Sequence, residues 1–294
     1  KKAAYPGMED RKKVVMQSHL DMVCQKNNDV TFDFDTQGIE MLIEDGKFVT
    51  ANGTTLGADN GIGVATIMSI LESKDIPHPA IEAFFTIDEE TGMTGALGLK
   101  AGFLSGKILL NLDTEEDDEL DIGCAGGVDV TATKSYTAEA TNGTAFTLTL
   151  KGLNGGHSGM QIHEGLGNSN KLIARLLNAA TEFGLQIAHM EGGSLRNAIP
   201  RESWAKIVIP TDKVDAFKTT YETLRAEIIE EYLTKEPKMV ITLEPTEATS
   251  AMSAQDSKVF IQTVMTAFNG VYRMSPDVEG LVETSNNVAR VEVI

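Results

Sequence analysis

Two rhythms of apolar and polar residues divide the chain. In the first, short apolar runs break off at an acid or a histidine: residues 12–19 (Lys-Lys-Val-Val-Met-Gln-Ser-His), 81–88 and 107–113 (Lys-Ile-Leu-Leu-Asn-Leu-Asp) read as strands. A helical pattern over 64–72 and a short one over 95–100 separate them, and a hairpin is expected around 41–43 and 48–50. Strands alternating with helices predict an α/β domain, a mostly parallel sheet with flanking helices, whose sites lie at the carboxyl ends of its strands.

The second rhythm follows Gly123-Cys124-Ala125-Gly126-Gly127. Residues 144–151 alternate as a strand, 164–183 have helical periodicity, and 204–209 read as a strand. An amphipathic helix over 212–233, with Thr211 as its N-cap, precedes a further strand at 239–243. This pattern predicts a separate α+β domain with a ferredoxin-like plan, four strands and two helices on one face. The expected division is 1–127 and 128–294.

Composition narrows the function. The chain has 294 residues, 41% hydrophobic and 23% charged, enough for a sizeable core. Its 25 Lys and Arg stand against 43 Asp and Glu, a formal charge of -18, which argues against nucleic acid and against an anionic membrane surface as partners. Only Cys24 and Cys124 are present, so no disulfide framework is read and a cytoplasmic setting is expected. No apolar run approaches the roughly 20 residues of a spanning helix. The opening Lys1-Lys2-Ala3-Ala4 has neither Met nor an apolar leader, so a natural start further upstream is expected.

The candidate chemistry sits where the strands end. Asp88-Glu89-Glu90 follows an apolar run, and adjacent acids at the mouth of a buried strand are costly unless a cation or a reacting proton lies between them. His19 closes the first strand, with Asp21 two residues on, the spacing of a metal ligand and the carboxylate that fixes its ring. Asp113 closes the third. Asp59 stands in Gly57-Ala58-Asp59-Asn60-Gly61-Ile62-Gly63, a glycine-rich helix entry that allows close backbone approach. Four segments could therefore deliver nitrogen and oxygen ligands to one sheet edge. The acids at 115–119 read as a solvated run. In the second domain, Gly155-Gly156-His157-Ser158-Gly159 and Ser194-Leu195-Arg196-Asn197-Ala198-Ile199-Pro200 are unusual for scaffold, while His78, His163 and His189 read as structural or surface residues.

Together these residues carry a resemblance. Ser18-His19-Leu20-Asp21, Gly57 to Gly63, Asp88-Glu89-Glu90-Thr91-Gly92, Asn111-Leu112-Asp113 and Gly155 to Gly159 occur in this order in the two-zinc aminopeptidase, carboxypeptidase and deacylase superfamily, and the likeness continues through 195–201 and Val282-Glu283-Thr284-Ser285-Asn286-Asn287. The resemblance implies two divalent metal ions, zinc with manganese or cobalt as alternatives. His19 and Asp113 would hold one, Glu90 the other, and Asp59 would bridge them. Asp21 would orient His19, and Glu89 would act as general base and acid. The second domain would be a lid and dimerisation unit forming a homodimer, with His157, Asn197 and Arg196 binding substrate oxygens. The reaction implied is hydrolysis of a small peptide, a dipeptide of the Xaa-His kind. Other amide substrates of the same family, and an inactive fragment serving only for dimerisation, are the alternatives. The family also uses a second histidine ligand from a later segment, and no His follows His189. An incomplete catalytic domain and an incomplete lid are therefore expected.

Overall fold

Val14 and Val15 begin a strand whose buried Val15, Met16, Ser18 and His19 carry apolar packing and site chemistry on the same six residues. In the computed structural model, which describes residues 1–26, 30–114, 118 and 120–294, the chain forms two units, Lys1–Ala125 and Gly126–Ile294. The first runs β1 (Val14–His19), β2 (Met41–Glu44), β3 (Phe48–Ala51), α1 (Ala58–Glu72), β4 (Ile81–Thr86), α2 (Thr94–Leu97) and β5 (Ile108–Asn111). β1 lies between β4 and β5 in a three-stranded parallel sheet, as the alternation predicts, and β2 with β3 forms the expected hairpin.

Register places the site. His19 pairs with Thr86, and Gln17 with Asn111, so the residues just beyond β4 and β5 fall beside the end of β1. Met16, Ile67 and Ile81 form a small core, closed by α1 through Ile67. Beneath the sheet, the buried Glu82 accepts from the main-chain N–H groups of Ser105 (2.7 Å) and Gly106 (2.8 Å) and pairs with Lys1 at 2.7 Å. Lys1 first, then those N–H groups, hold its carboxyl down to about 2 and tie β4 to the entry of β5.

The second unit runs β6 (Glu139–Ala140), β7 (Thr144–Lys151), β8 (Gly156–His157), α3 (Ser169–Ala180), β9 (Gln186–Gly192), β10 (Ala198–Ile199), β11 (Ser203–Ile209), α4 (Val214–Tyr232), β12 (Val240–Thr246), β13 (Ser250–Ala251), α5 (Ala254–Thr266), β14 (Gly270–Met274), β15 (Val282–Asn286) and β16 (Val291–Val293). Its main sheet is antiparallel in the order β12-β7-β11-β9-β16. The first four strands with α3 and α4 follow the ferredoxin-like plan. The sheet is nevertheless wider than expected, because β16 adds a fifth strand on β9 and α5 packs beside α3. Leu148, Leu150, Ile173, Leu177, Ile187 and Ile207 are fully buried in its core.

Two boundaries differ from the sequence reading. α3 starts at Ser169 rather than near 164, because Gly165 takes a φ of 73° and the Asn168 side chain then caps the helix by accepting from Lys171 N–H. Thr211 is not the N-cap of α4. A 3-10 turn, Thr211–Lys213, comes first, and the Thr211 hydroxyl lies 3.4 Å from that of Thr144. Among the described residues no helix is long and apolar enough to cross a membrane.

Candidate metal centre

His19 is 1% exposed at the end of β1, and its ring is fixed from behind. Nδ1 donates to the main-chain carbonyl oxygen of Asp21 at 2.8 Å, which leaves Nε2 facing two carboxylates, Asp59 Oδ1 at 2.9 Å and Asp113 Oδ1 at 3.5 Å. With the neutral ring's proton on Nδ1, the lone pair of Nε2 would confront acceptor oxygens. That arrangement requires a second proton or a cation at Nε2. The proton affinity of His19 is accordingly raised: burial opposes the charge, but the bond to Asp59 and the fields of Asp113 and Asp59 outweigh it.

The surrounding acids arrive from three directions. Asp59 lies at the start of α1, where it and Asn60 depart from helical dihedrals across a cis peptide; its side chain is 66% exposed. Glu89 and Glu90 follow β4, and Asp113 follows β5. Ligand atoms of His19, Asp59 and Asp113 lie within 4.8 Å of one another, as do those of His19, Glu89 and Glu90. Two donor sets thus share one imidazole. The carboxyls of Glu89, Glu90 and Asp113 are all pushed up, in each case by burial first, then chiefly by Asp113, by Asp59 and by Asp59 respectively, with His19 opposing. Among the described residues none of these acids is ion-paired to a Lys or Arg. The donor set, one imidazole and several carboxylates with mutual repulsion unrelieved, fits divalent cations of the zinc, manganese or cobalt type.

Asp21 is the hinge of this arrangement. One oxygen accepts from Glu90 N–H, while the other is buried without a hydrogen-bond partner 3.5 Å from His19 Nδ1. Burial raises its carboxyl, but the N–H groups of Glu90 and Glu89 outweigh that and hold it low. Sequence reading missed the neighbours that make the cluster compact. Ser18 donates to Asn60 Oδ1 at 2.9 Å, and a Cβ on Gly63 would overlap Asn60 Oδ1. The Gly57 to Gly63 motif was the signal that could have found them. The acidic run at 115–119 lies, apart from the exposed Asp118, outside the described residues.

His157, Arg196 and Asn197 belong to the second unit. β8 pairs with β10, so His157 stands opposite Ala198, and Ser158 N–H donates to Asn197 O at 2.7 Å. His157 Nδ1 accepts from Gly159 N–H at 3.1 Å and Met160 N–H at 3.2 Å, so the neutral ring carries its proton on Nε2, as a donor. Gly159 packs closely on the ring: a Cβ there would lie 3.2 Å from His157 Cε1. Arg196 approaches Asp129 at 3.4 Å, both exposed. His78 is buried against Pro79 O, His163 is exposed, and His189 lies 3.8 Å from Glu191.

Known proteins place this geometry in context. Residues 148–236 match the peptidase dimerisation domain family. Over 99% of its length the chain is 45% identical to the cytosol non-specific dipeptidase of Escherichia coli, covering 61% of that protein. The crystal structure of aminoacylhistidine dipeptidase from Vibrio alginolyticus is 46% identical and superposes with a TM-score of 0.66, over all of this chain and 60% of that one. The chain resembles these dipeptidases over nearly its whole length. It spans about three-fifths of the length of either. A shorter likeness, 45% over 58 residues, joins it to peptidase T of Haemophilus influenzae, covering 19% of this chain and 14% of that one. The resemblance read from the ordered motifs is therefore to dipeptidases, and the fold agrees with it.

Proposed function

We propose that the ends of β1, β4 and β5 form a site for two divalent cations, zinc with manganese or cobalt as alternatives, the second of them short of its own histidine in this chain, and that the protein hydrolyses dipeptides of the Xaa-His kind. The observation that carries this is the Nε2 face of His19, turned onto carboxylates that no Lys or Arg among the described residues offsets. His19 and Asp113 would hold one ion, Glu90 the other, and Asp59 would stand between them. Bound there, the ions would supply Lewis-acid polarisation of a carbonyl and a water that ionises near neutral pH.

The chain's own groups do the rest. Glu89, whose proton affinity burial raises, takes a proton from the attacking water and returns it to the leaving amine. Asp21 holds the His19 ring through its main-chain carbonyl, with its carboxylate 3.5 Å from Nδ1, so that Nε2 stays on the acids. On the second unit, Nε2–H of His157 offers a neutral donor to a substrate carbonyl or carboxylate oxygen, with Asn197 and Arg196 as further donors. The match to dimerisation domains supports a homodimer through that unit, and the name of the Escherichia coli relative supports a cytoplasmic setting.

Incubating the metal-loaded, full-length protein with Xaa-His dipeptides and with acetyl-amino acids in parallel tests the reading. Free histidine without acetate is expected. Acetate without histidine would move the site to deacylation, and release of neither from a protein carrying two ions per chain would sink the proposal.

A further inference from the structure

We propose that Glu236 is a positioning residue for His157. Its carboxylate, on a residue 2% exposed, closes the loop 154–167 at both ends: Oε2 accepts from Asn154 N–H at 2.7 Å and Oε1 from Gly167 N–H at 2.8 Å. Among the described residues no Lys, Arg or His is ion-paired to it. A buried carboxylate without a counter-charge is expensive unless charge-assisted hydrogen bonds satisfy both oxygens. Two N–H groups that far apart in the chain converge here, and one carboxylate serves both. A glutamine could serve only one, because its amide N–H would face the other donor. Gly167 also directly precedes the Asn168 cap of α3, so the positive end of that helix favours the charge.

The clamp reaches His157 through short main-chain steps. Asn154 is further tied by its side-chain amide to Lys235 O at 2.6 Å. Two residues beyond Gly155, which has a φ of 70°, His157 N–H donates to Gln161 Oε1 at 2.9 Å, and the ring nitrogen is held by Gly159 and Met160. Among the described residues the hydrogen bonds to the imidazole come from inside the loop that Glu236 closes, while the main chain of His157 and Ser158 is also paired with β10. Glu236 therefore acts through His157. The proposal rests on the reading of His157 as a donor to substrate.

A double-mutant cycle in the metal-loaded, full-length protein tests it. Glu236→Gln should leave metal content unchanged and lower kcat/KM at least about tenfold. In a His157→Ala background the same change should cost nothing further. An equal loss on both backgrounds, or a folded Glu236→Gln protein with full kcat/KM, overturns the proposal. If Glu236→Gln does not fold, Glu236→Asp, too short to reach both amides, is measured in its place. If His157→Ala itself leaves kcat/KM intact, the substrate role of His157 falls, and nitrogen-15 NMR of its ring decides about Glu236 alone. In the parent, the two ring nitrogens should be separated as in a single tautomer, more widely than those of the exposed His163. Collapse of that separation in Glu236→Gln supports the clamp, and an unchanged spectrum overturns it.

Discussion

The carboxylate of Asp21 accepts the main-chain N–H of Glu90 at 3.1 Å, so the end of β1 and the turn after β4 share one hydrogen bond. The same residue's carbonyl holds His19 Nδ1 at 2.8 Å. Orientation of the ring and placement of the Glu89-Glu90 pair thus depend on a single side chain and its backbone. Asp21→Ala keeps the carbonyl but releases the turn. Partners of this kind typically contribute about 10–100-fold to metal affinity, and a loss of that size is expected in competition titration against a chelator. Unchanged affinity would show that the carbonyl alone sets the ring.

Metal-free protein should lose stability in the first unit as pH rises. His19, Glu89, Glu90 and Asp113 all have raised proton affinities, so the stability they contribute is present below their ordinary values and is lost as pH climbs through the raised ones. Asp21, held low, has the opposite sign: its contribution is present above the ordinary carboxylate range and disappears in stronger acid. Chelator-treated protein should therefore resist unfolding of the β1 region better near about pH 5 than near about pH 8, and excess zinc should abolish the difference. Hydrogen exchange of β1 amides measures it, and a metal-free protein equally protected at both values would contradict the electrostatic account.

Glu89 and Glu90 are neighbours in the chain, and substitution should separate their roles. Burial first, and then the charge of Asp113, raises Glu89 toward the range useful for moving a proton near neutrality. Glu89→Gln should lower kcat by about 10²- to 10⁴-fold with metal content unchanged. Glu90→Gln should lower metal content as well. Elemental analysis beside single-substrate kinetics distinguishes the two, and loss of metal in Glu89→Gln would make Glu89 a ligand instead.

How much of this was legible in the chain varies with the kind of signal. Residues 146–151 alternate, and β7 occupies 144–151. In β9 the alternation breaks at Ala188, which the register with β11 skips between Ile187 and His189, and the strand is defined by its partners β11 and β16. α5 carries a readable start in Ser253, whose side chain accepts from Asp256 N–H. The site was legible because a parallel sheet gathers its strand ends, which depends only on element order. What residue types could not convey is direction: that the Asp21 carbonyl accepts the hydrogen bond of His19 Nδ1, or that Glu236 closes a loop from more than sixty residues away, emerges only from distances.

At Gly63 the helix packs closely against residues that flank the candidate metal centre. A Cβ there would overlap Asn60 Oδ1 and stand 2.8 Å from both Leu112 O and Ser18 Oγ. Each of these neighbours adjoins a proposed ligand, namely Asp59, Asp113 and His19. A methyl group would therefore press on three ligand-bearing segments at once, and backbone cannot give way as a flexible side chain can. Gly63→Ala should destabilise the first unit by about 1–3 kcal/mol and weaken metal binding, although it replaces glycine in a helix, where alanine is ordinarily favoured. The chain's single Trp, Trp204, lies in β11, so its fluorescence follows the second unit and should report unchanged unfolding there. Hydrogen exchange over β1 and α1 follows the first. A Gly63→Ala protein with unaltered α1 protection and full metal affinity would mean that the helix can shift at no cost, and that the close approach at Gly63 does not set the geometry of the site.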